Sequence, residues 1–383
     1  MALIATTDFP IGQTLFAYNN NVIIFKSDDD TKVPLFCDIA IGDFSSTIYP
    51  NPNKEFYYNF EEVFASLINE NSFQDFTDIS FDATDFSTYV YSEQANTYKE
   101  LNITFSVTYE DASGENLNRQ VNVLRAVLDL ETYKTYQIPN QLIDNTVLTT
   151  YAENGFVGFP RVGYCRYFEG FPFDFTFLSS ESVTLTNLTN LDTLDLTDLT
   201  KVTRLGICDG RLDTTIELFF VITDGINLIQ FGDNEYKLKL IKTDNCGDGV
   251  YVKWLNNLGG WSYWLFDKNN QRNLTTSSLG NINNDFNNLD QTTSPLLSLG
   301  KKSNGTIRVL TDNINLEDND LVKTMLDSPK VYLFTGTPFA KNTYQDWIEV
   351  EISNRDSITK QWKRDLNNYE IVLKLPPKKN MKL

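Results

Sequence analysis

The residue types in this chain exclude most familiar catalytic chemistry. The 383 residues include no histidine, and Ser-His-Asp systems, Cys-His systems and histidine-ligated metals all require that side chain. An enzyme here would have to use carboxylates, Lys, Tyr or Cys. No P-loop or dinucleotide fingerprint is present, and sequence alone cannot pick a glycosidic acid pair from the 51 acidic residues. We predict no catalytic residue and no cofactor.

Cysteine and acidic residues form no recognisable metal site either. The cysteines lie far apart without a Cys-x-x-Cys pair, which excludes zinc-ribbon and thioredoxin-type motifs, so we expect buried free thiols and no metal. Asp244 and Asp248, with Asn245, have oxygen ligands for calcium. Their spacing misses the D-x-D-x-D-G loop and its distal Glu, and a turn is favoured. The cysteines are Cys37, Cys165, Cys208 and Cys246.

The most distinctive segment, residues 244–266, holds three of the five tryptophans. Val250 to Leu255 and Trp261 to Phe266 read as two strands joined by a turn over residues 256–260. Such aromatic density fits a sugar-stacking platform, a subunit interface or a domain core, and core or interface is favoured. The candidate interface residues are Trp254, Trp261, Tyr263 and Trp264.

The elements that would position this hairpin are mostly strands. Abundant Phe, Tyr, Thr, Val and Ile, set against many Asn and Asp, favours strands joined by polar turns. Helical signals occur at residues 60–67, with Asn59 as a cap, and at residues 318–328. The predicted strands are 22–25, 34–41, 46–49, 101–109, 171–178, 215–222, 226–231, 236–241, 250–255, 261–266, 330–334, 347–352 and 369–375.

Several other stretches are interpreted as connections. Asp28 to Asp30 reads as a hairpin tip, and residues 111–118 read as a polar loop. Residues 120–129 fit either a strand or a short helix. The leucine-spaced stretch 185–200 reads as a long arm or loop, with docking on a neighbouring subunit as the alternative, and residues 269–294 read as a loop or linker.

The chain length predicts about two to three domains at roughly 150 residues each. We place a β-sandwich-like domain with one short helix at residues 1–135. A central β domain with the Trp-rich hairpin follows at 136–268, and its strand signals start around Gly155. A linker with a C-terminal β domain occupies 269–383. The predicted fold class is mainly β, with several β-sandwich-like domains and a few short helices.

The net charge of −19 bears on partners and location. It repels a phosphate backbone and removes the counterion release that drives nucleic-acid binding, so no direct nucleic-acid partner is expected. The same charge keeps a subunit soluble before assembly. The N-terminus lacks a basic region followed by an apolar core, and no segment approaches the ~20 apolar residues of a membrane helix. We expect synthesis in a cytoplasm without membrane insertion.

The segment CGDGVYVKWLNNLGGWSYWLF, residues 246–266, resembles a motif of structural proteins from phages and prophages of Bacteroidetes, including the crAss-like phages. Two further parts of the chain share the resemblance. One runs from residues 17–22 to 48–52, and the other runs from residues 328–333 to 347–350. The resemblance implies a β-sandwich-rich virion component of the neck, collar ring or tail baseplate, whose subunits form closed rings of six or twelve copies. It carries over no catalytic residue.

These observations together lead to two functional hypotheses. The first is a ring-forming virion subunit of the phage neck, collar or tail, whose partners are copies of itself and other tail or neck proteins. The alternative is a tail-tip adhesin or depolymerase acting on host surface glycans. Residues 185–200 and 269–294 lie outside the resemblance.

Overall fold

Strands dominate the computed structural model, which confirms the predicted mainly β, sandwich-like fold with a few short helices. It describes residues 2–9, 14–69, 72–77, 81–128, 146–150, 152–153, 162–179, 181–232, 237–244, 247–267, 270–283, 296–311, 314–353 and 370–380. The strands up to residue 128 are β1 Leu3–Thr7, β2 Thr14–Phe16, β3 Val22–Ser27, β4 Pro34–Ile41, β5 Phe44–Ile48, β6 Phe56–Asn59, β7 Val90–Ser92, β8 Tyr98–Tyr109 and β9 Gly114–Leu124.

The remaining elements follow in chain order. The strands up to residue 244 are β10 Ala152–Glu153, β11 Val162–Phe168, β12 Pro172–Leu178, β13 Val183–Asn187, β14 Asp192–Leu196, β15 Val202–Asp209, β16 Gly225–Phe231 and β17 Lys237–Thr243. The last strands are β18 Val250–Leu255, β19 Trp261–Phe266, β20 Gln271–Ser278, β21 Asn281–Asn283, β22 Leu296–Ser298, β23 Lys301–Leu310, β24 Val331–Phe334, β25 Trp347–Ile352 and β26 Glu370–Lys374. The α-helices in these ranges are α1 Glu61–Ile68, α2 Gln94–Thr97 and α3 Leu316–Lys323, and 3-10 turns span Phe86–Tyr89, Ile216–Leu218 and Tyr344–Asp346.

Two sheets and helix α1 enclose the first core. The three-stranded sheet has the order β1-β3-β6, and the five-stranded sheet has the order β2-β9-β8-β4-β5. Phe25 of β3 and Phe105 of β8 are fully buried, and their ring centroids lie 4.9 Å apart. Helix α1 adds Phe64 to the same cluster. The N-cap residue of this helix is Phe60 rather than the predicted Asn59. The Asn59 side chain, one residue earlier, still accepts a hydrogen bond from the Glu61 N–H at 3.2 Å.

Three further sheets share a second, larger core. Their strand orders are β10-β11-β17-β16-β13-β14, β12-β15-β7 and β19-β18-β24-β25-β26-β23-β20. Every residue of β12 and of β15 is buried. The ring centroid of Phe175 on β12 lies 6.0 Å from that of Phe231 in the six-stranded sheet. The ring centroid of Phe173 lies 5.2 Å from that of Tyr263 in the seven-stranded sheet. The small sheet therefore contacts both of the larger ones.

Pairing between distant segments crosses the predicted domain limits. Strand β7 pairs with β15, with Ser92 opposite Thr203, so residues near 90 belong to the second core. Strand β18 pairs with β24, with Val252 opposite Leu333. The division at residues 268 and 269 therefore falls within one seven-stranded sheet, and the division at 135 and 136 lies outside the described residues.

Two predicted connections near the N-terminus are wrong. Asp28 to Asp30 is not a hairpin tip, because β3 pairs with β1 and β6 while β4 pairs with β5 and β8. This acidic stretch links two different sheets. The predicted loop at 111–118 is shorter than expected, since Gly114 already pairs with Thr108 at the start of β9. The ambiguous stretch from residue 120 is strand as far as Leu124.

The leucine-spaced stretch 185–200 is a hairpin rather than a loop. Leu185 on β13 lies opposite Leu194 on β14, and Leu185 is fully buried. Leu191 adopts a φ of +64° at the tip and is 77% exposed. The three-residue leucine spacing concealed the two-residue period of the strands. Docking of this stretch on a neighbouring subunit stays a hypothesis.

The predicted strand at 215–222 is also wrong. The segment forms the 3-10 turn Ile216–Leu218 and then irregular backbone. Ile216, Phe220 and Ile222 are buried, so the apolar run reflects burial without ladder pairing. The adjacent prediction is confirmed, since β16 pairs with β17 in an antiparallel register.

The stretch 269–294 contains strands where a linker was expected. Strands β20 and β21 lie in its described part, and all their residues are exposed. An apolar alternation could not reveal them because neither face packs on a core. Residues 154–161, around the predicted start of the central domain, and residues 284–295 lie outside the described ranges.

The turn between β18 and β19 requires glycine at position 259. Gly259 has a φ of +86°, and a Cβ atom there would lie 2.2 Å from the Arg125 carbonyl oxygen. Gly225 has a φ of +84° with open space around it, so it provides a matched control.

We expect Gly259→Ala to lower the free energy of unfolding by clearly more than Gly225→Ala. The control should lose only about 1–2 kcal/mol of unfolding free energy, which is what a left-handed backbone conformation costs a residue with a Cβ atom. Chemical denaturation of both variants measures the difference, and equal losses would contradict the packing of this turn.

Candidate functional site: a buried charge network

Among the residues that the structure describes, the largest cluster of charged side chains lies inside the second core, around Arg204 of β15. Arg204 Nη1 lies 3.0 Å from Asp75 Oδ1 and 3.3 Å from Glu93 Oε2, and Arg204 Nη2 lies 2.7 Å from Asp174 Oδ2. Arg204 is 1% exposed and Asp174 is fully buried. Four separate segments of the chain therefore meet at one guanidinium group.

Two tyrosine hydroxyls donate hydrogen bonds to the buried carboxylate of Asp174. Tyr91 on β7 donates to Asp174 Oδ2 at 2.9 Å, and Tyr263 on β19 donates to the same atom at 3.0 Å. Burial raises the pKa of Tyr91 and of Tyr263 well above the ordinary tyrosine value. Both hydroxyls therefore remain protonated donors.

Lys253 of β18 ties the Trp-rich hairpin to the same network. Its Nζ lies 2.8 Å from Asp75 Oδ2. It also lies 4.6 Å from the ring centroid of Trp347, 5.3 Å from that of Tyr332 and 5.4 Å from that of Trp261. Aromatic faces attract a desolvated ammonium group. Lys253 is thus held by one carboxylate and three rings.

The electrostatics favour a closed ion-pair network. Burial alone would raise the pKa of Asp75, but the attraction of Arg204 and Lys253 outweighs it and lowers that pKa. Burial alone would likewise lower the pKa of Arg204, and Asp174 and Asp75 raise it instead. Glu93 differs, because burial raises its pKa despite the nearby guanidinium. Arg204 and Asp75 are therefore charged partners at neutral pH.

Lys253 and Asp75 lie close enough to form either an ion pair or a covalent amide. A lysine beside a carboxyl group in an apolar shell can form an amide with loss of water, which requires a neutral amine and a protonated carboxyl group. Arg204 binds both oxygens of Asp75, at 3.0 and 3.3 Å, and favours the carboxylate. A cavity of about 20 Å³ beside Lys253, Asp174 and Trp347 has room for about one water molecule. The geometry therefore fits an ion pair better than a reaction centre.

The structure buries all four candidate interface residues within the single chain. Trp254 is fully buried and its Nε1–H donates to Thr324 Oγ1 at 2.9 Å. Trp261 and Tyr263 border the charge network, and the Trp264 ring centroid lies 5.7 Å from the guanidinium of Arg166. The four side chains contribute to the core, and a role at a subunit interface stays a prediction.

Sequence reasoning missed the charge network. Two residues in the sequence pointed to the network most strongly. They are Arg204 within the apolar strand β15 and Asp174 within the phenylalanine-rich strand β12. A charged residue inside a strand buried on both faces requires a buried partner. Asp75 and Glu93 carry no such signal, because their segments are polar.

The described thiols agree with the sequence analysis. Cys37, Cys165 and Cys208 are free and buried, and burial raises the pKa of the Cys37 and Cys208 thiols to about 12. Cys246 lies outside the described ranges. Among the described residues, no group of three or more Cys, Asp or Glu side chains could hold a metal ion, and no helix is both long and apolar enough to cross a membrane.

Comparisons with known proteins give no family. No protein-family model matches the chain, and no curated protein matches it in sequence. Fibronectin(III)-like modules of Clostridium thermocellum CbhA align at 8% identity over 63% of this chain and 94% of theirs, with a TM-score of 0.19. A structure from a 1.5-MDa bacterial ice-binding adhesin aligns at 9% identity over 72% of this chain and 92% of its own, with a TM-score of 0.21. Such low TM-scores carry no argument about function.

Removal of the central cation should strongly destabilise the fold. Arg204→Met removes the cation that contacts all three buried carboxylates and leaves Lys253 paired with Asp75, and we expect a loss of about 3–5 kcal/mol in the free energy of unfolding. Arg308→Met is the control, since Arg308 and Glu370 form a half-exposed pair that contributes roughly 0–1 kcal/mol. Denaturant titration measures both, and a similar loss in the two variants would contradict the network's role.

The ion-pair assignment also predicts the covalent state of Lys253. We expect intact-protein mass spectrometry to give the mass encoded by the sequence, because Asp75 stays ionised and unreactive. The Lys253→Met variant is the reference, since it cannot form an amide at this position. A wild-type mass lower by one water molecule, absent in the variant, would show an amide bond and contradict the assignment.

Proposed function

We propose that this chain is a ring-forming structural subunit of a phage particle, in the neck, collar or tail, without enzymatic activity. The observation that carries the proposal is the β-arm, defined as residues 271–283 and 296–305. All residues of β20, β21 and β22 are exposed. An ordered element that buries so little in its own chain gains its contacts from another molecule.

The described strands of the β-arm form one continuous antiparallel ladder. Gln271 to Ser278 pair along β23 down to Lys301, and Ile282 lies opposite Leu297 further out. Backbone hydrogen bonds between residues 279–280 and 299–300 join the two ladders. At about 3.3 Å per residue, the part beyond residue 274 is roughly 30 Å long.

The energetics of the β-arm favour an assembly role. A two-stranded hairpin without a packed face is marginal in water. This one exposes Leu274 by 57%, Ile282 by 51% and Leu297 by 44%. Contact with a neighbouring subunit would bury these side chains and offset the entropy of ordering the arm.

The internal charge network supports the same proposal. Its charged and aromatic groups bind one another rather than converging on an open cleft. The alternative of a glycan adhesin or depolymerase has less support, because the indole rings of Trp254, Trp261 and Trp264 are buried and offer no stacking platform. The Bacteroidetes phage resemblance agrees with a virion subunit.

Mass spectrometry of purified particles from the phage that encodes this chain tests the proposal. We expect the chain among the stoichiometric virion proteins, and a density map of the particle should place it in a ring at the neck or tail. Replacing residues 274–301 by a short Gly-Ser turn should give a folded chain that no longer enters particles. Absence from washed particles, or release of reducing sugars from host glycans by the pure protein, would contradict the proposal.

A further inference from the structure

We infer that the β-arm of one copy docks in an acidic groove beside helix α1 of a second copy, so that copies join head to tail. The inference deepens the proposed function and rests on it for one premise, that the chain assembles with itself. The charge, apolar surface and position of the two elements carry the argument.

The acceptor is a surface groove of about 790 Å³ between strands β5 and β6 and the first turns of α1. All the charged side chains that line it are acidic, and Asp43 and Glu62 are exposed. Partly buried apolar groups lie beside them, so the groove offers both carboxylates and apolar contact. The lining residues relevant here are Asp43, Glu61, Glu62, Phe44, Tyr58 and Leu67.

The β-arm has the opposite charge. Arg272, Lys301 and Lys302 are exposed, and the described residues of the arm include no acidic side chain. Residues 284–295 add two aspartates in the sequence, so the stretch 271–305 still carries a positive charge in a chain of net charge −19. A basic element on an acidic protein is complementary to another copy of that protein.

The apolar groups of the two elements also match. Leu274, Leu279 and Ile282 are exposed on the arm, while Phe44 and Leu67 are partly buried in the groove. Burial of these side chains supplies the affinity, and the charged groups supply the orientation and the association rate. Lysines and arginine flank the apolar arm residues as the carboxylates flank the apolar groove residues.

The positions of the two elements determine the type of assembly. The groove belongs to the first core, and the β-arm leaves the free edge of the seven-stranded sheet in the second core. Each copy therefore presents one arm and one groove that belong to different cores. Such a contact is heterologous, and repeated copies close into a ring when the rotation between neighbours closes.

The test uses charge reversal on each side separately. The arm variant is Arg272→Glu with Lys301→Glu and Lys302→Glu, and the groove variant is Asp43→Lys with Glu62→Lys. The control, Asp213→Lys with Asp248→Lys, makes the same charge change as the groove variant at two exposed acidic residues outside the groove. Circular dichroism melting confirms that each protein is folded, and sedimentation measures its assembly.

We expect the wild type and the control to form oligomers that dissociate as the salt concentration rises. The arm variant and the groove variant should each associate more than about tenfold more weakly, which corresponds to 1.4 kcal/mol. A mixture of the two variants should recover oligomers, because the intact arm meets the intact groove and the reversed arm meets the reversed groove. A chain carrying both sets of reversals should recover oligomers.

Four outcomes would overturn the inference. These are a wild type that stays monomeric at all concentrations, an arm variant that assembles like the wild type, folded variants that stay monomeric when mixed, and control assembly as weak as that of the groove variant. Virion mass spectrometry tests the proposed function independently. A chain that assembles through arm and groove but is absent from particles would contradict the function and not the arm–groove contact.

Discussion

Desolvation of the Arg204 guanidinium is the constraint on which the second core depends. Moving a cation of this size out of water costs several kcal/mol even after relaxation. The cost is offset only when carboxylates from other segments surround the group. Asp75 and Glu93 lie 129 and 111 positions away in the sequence, so the network completes itself only when these segments have reached β15. We expect the network to disfavour alternative packings of the strands more than it adds net stability.

The Lys253 ion pair extends this constraint to the seven-stranded sheet. Strand β18 is joined through Lys253 to Asp75, and β19 is joined through Tyr263 to Asp174. The same sheet ends at β20 on its opposite side. One side of the sheet is therefore fixed by buried charges and aromatic rings, while the other side supports the exposed β-arm. A rigid base lets an arm present its side chains in a defined direction.

The features that sequence could predict are those set by local patterns. Glycines and aromatic alternation located the β18–β19 hairpin, and apolar residues at helical spacing located α1. Strand β20 escaped prediction because both its faces are solvated, and residues 215–222 were misassigned because buried apolar runs need not pair. The charge network depends on contacts between distant segments, so only the presence of Arg204 in an apolar strand pointed to it.

The charge distribution bears on how such a chain avoids uncontrolled association. An exposed edge strand invites pairing with any other strand. Here β20 carries Arg272 and short polar side chains beside the apolar Leu274. Gly280 and Gly300, with φ of +119° and +120°, interrupt the ladder beyond it. The net charge of −19 opposes contact between bodies, whereas a basic arm is attracted to them. In the proposed assembly, repulsion between bodies would leave the arm as the favoured point of contact, which would select an ordered assembly over aggregation.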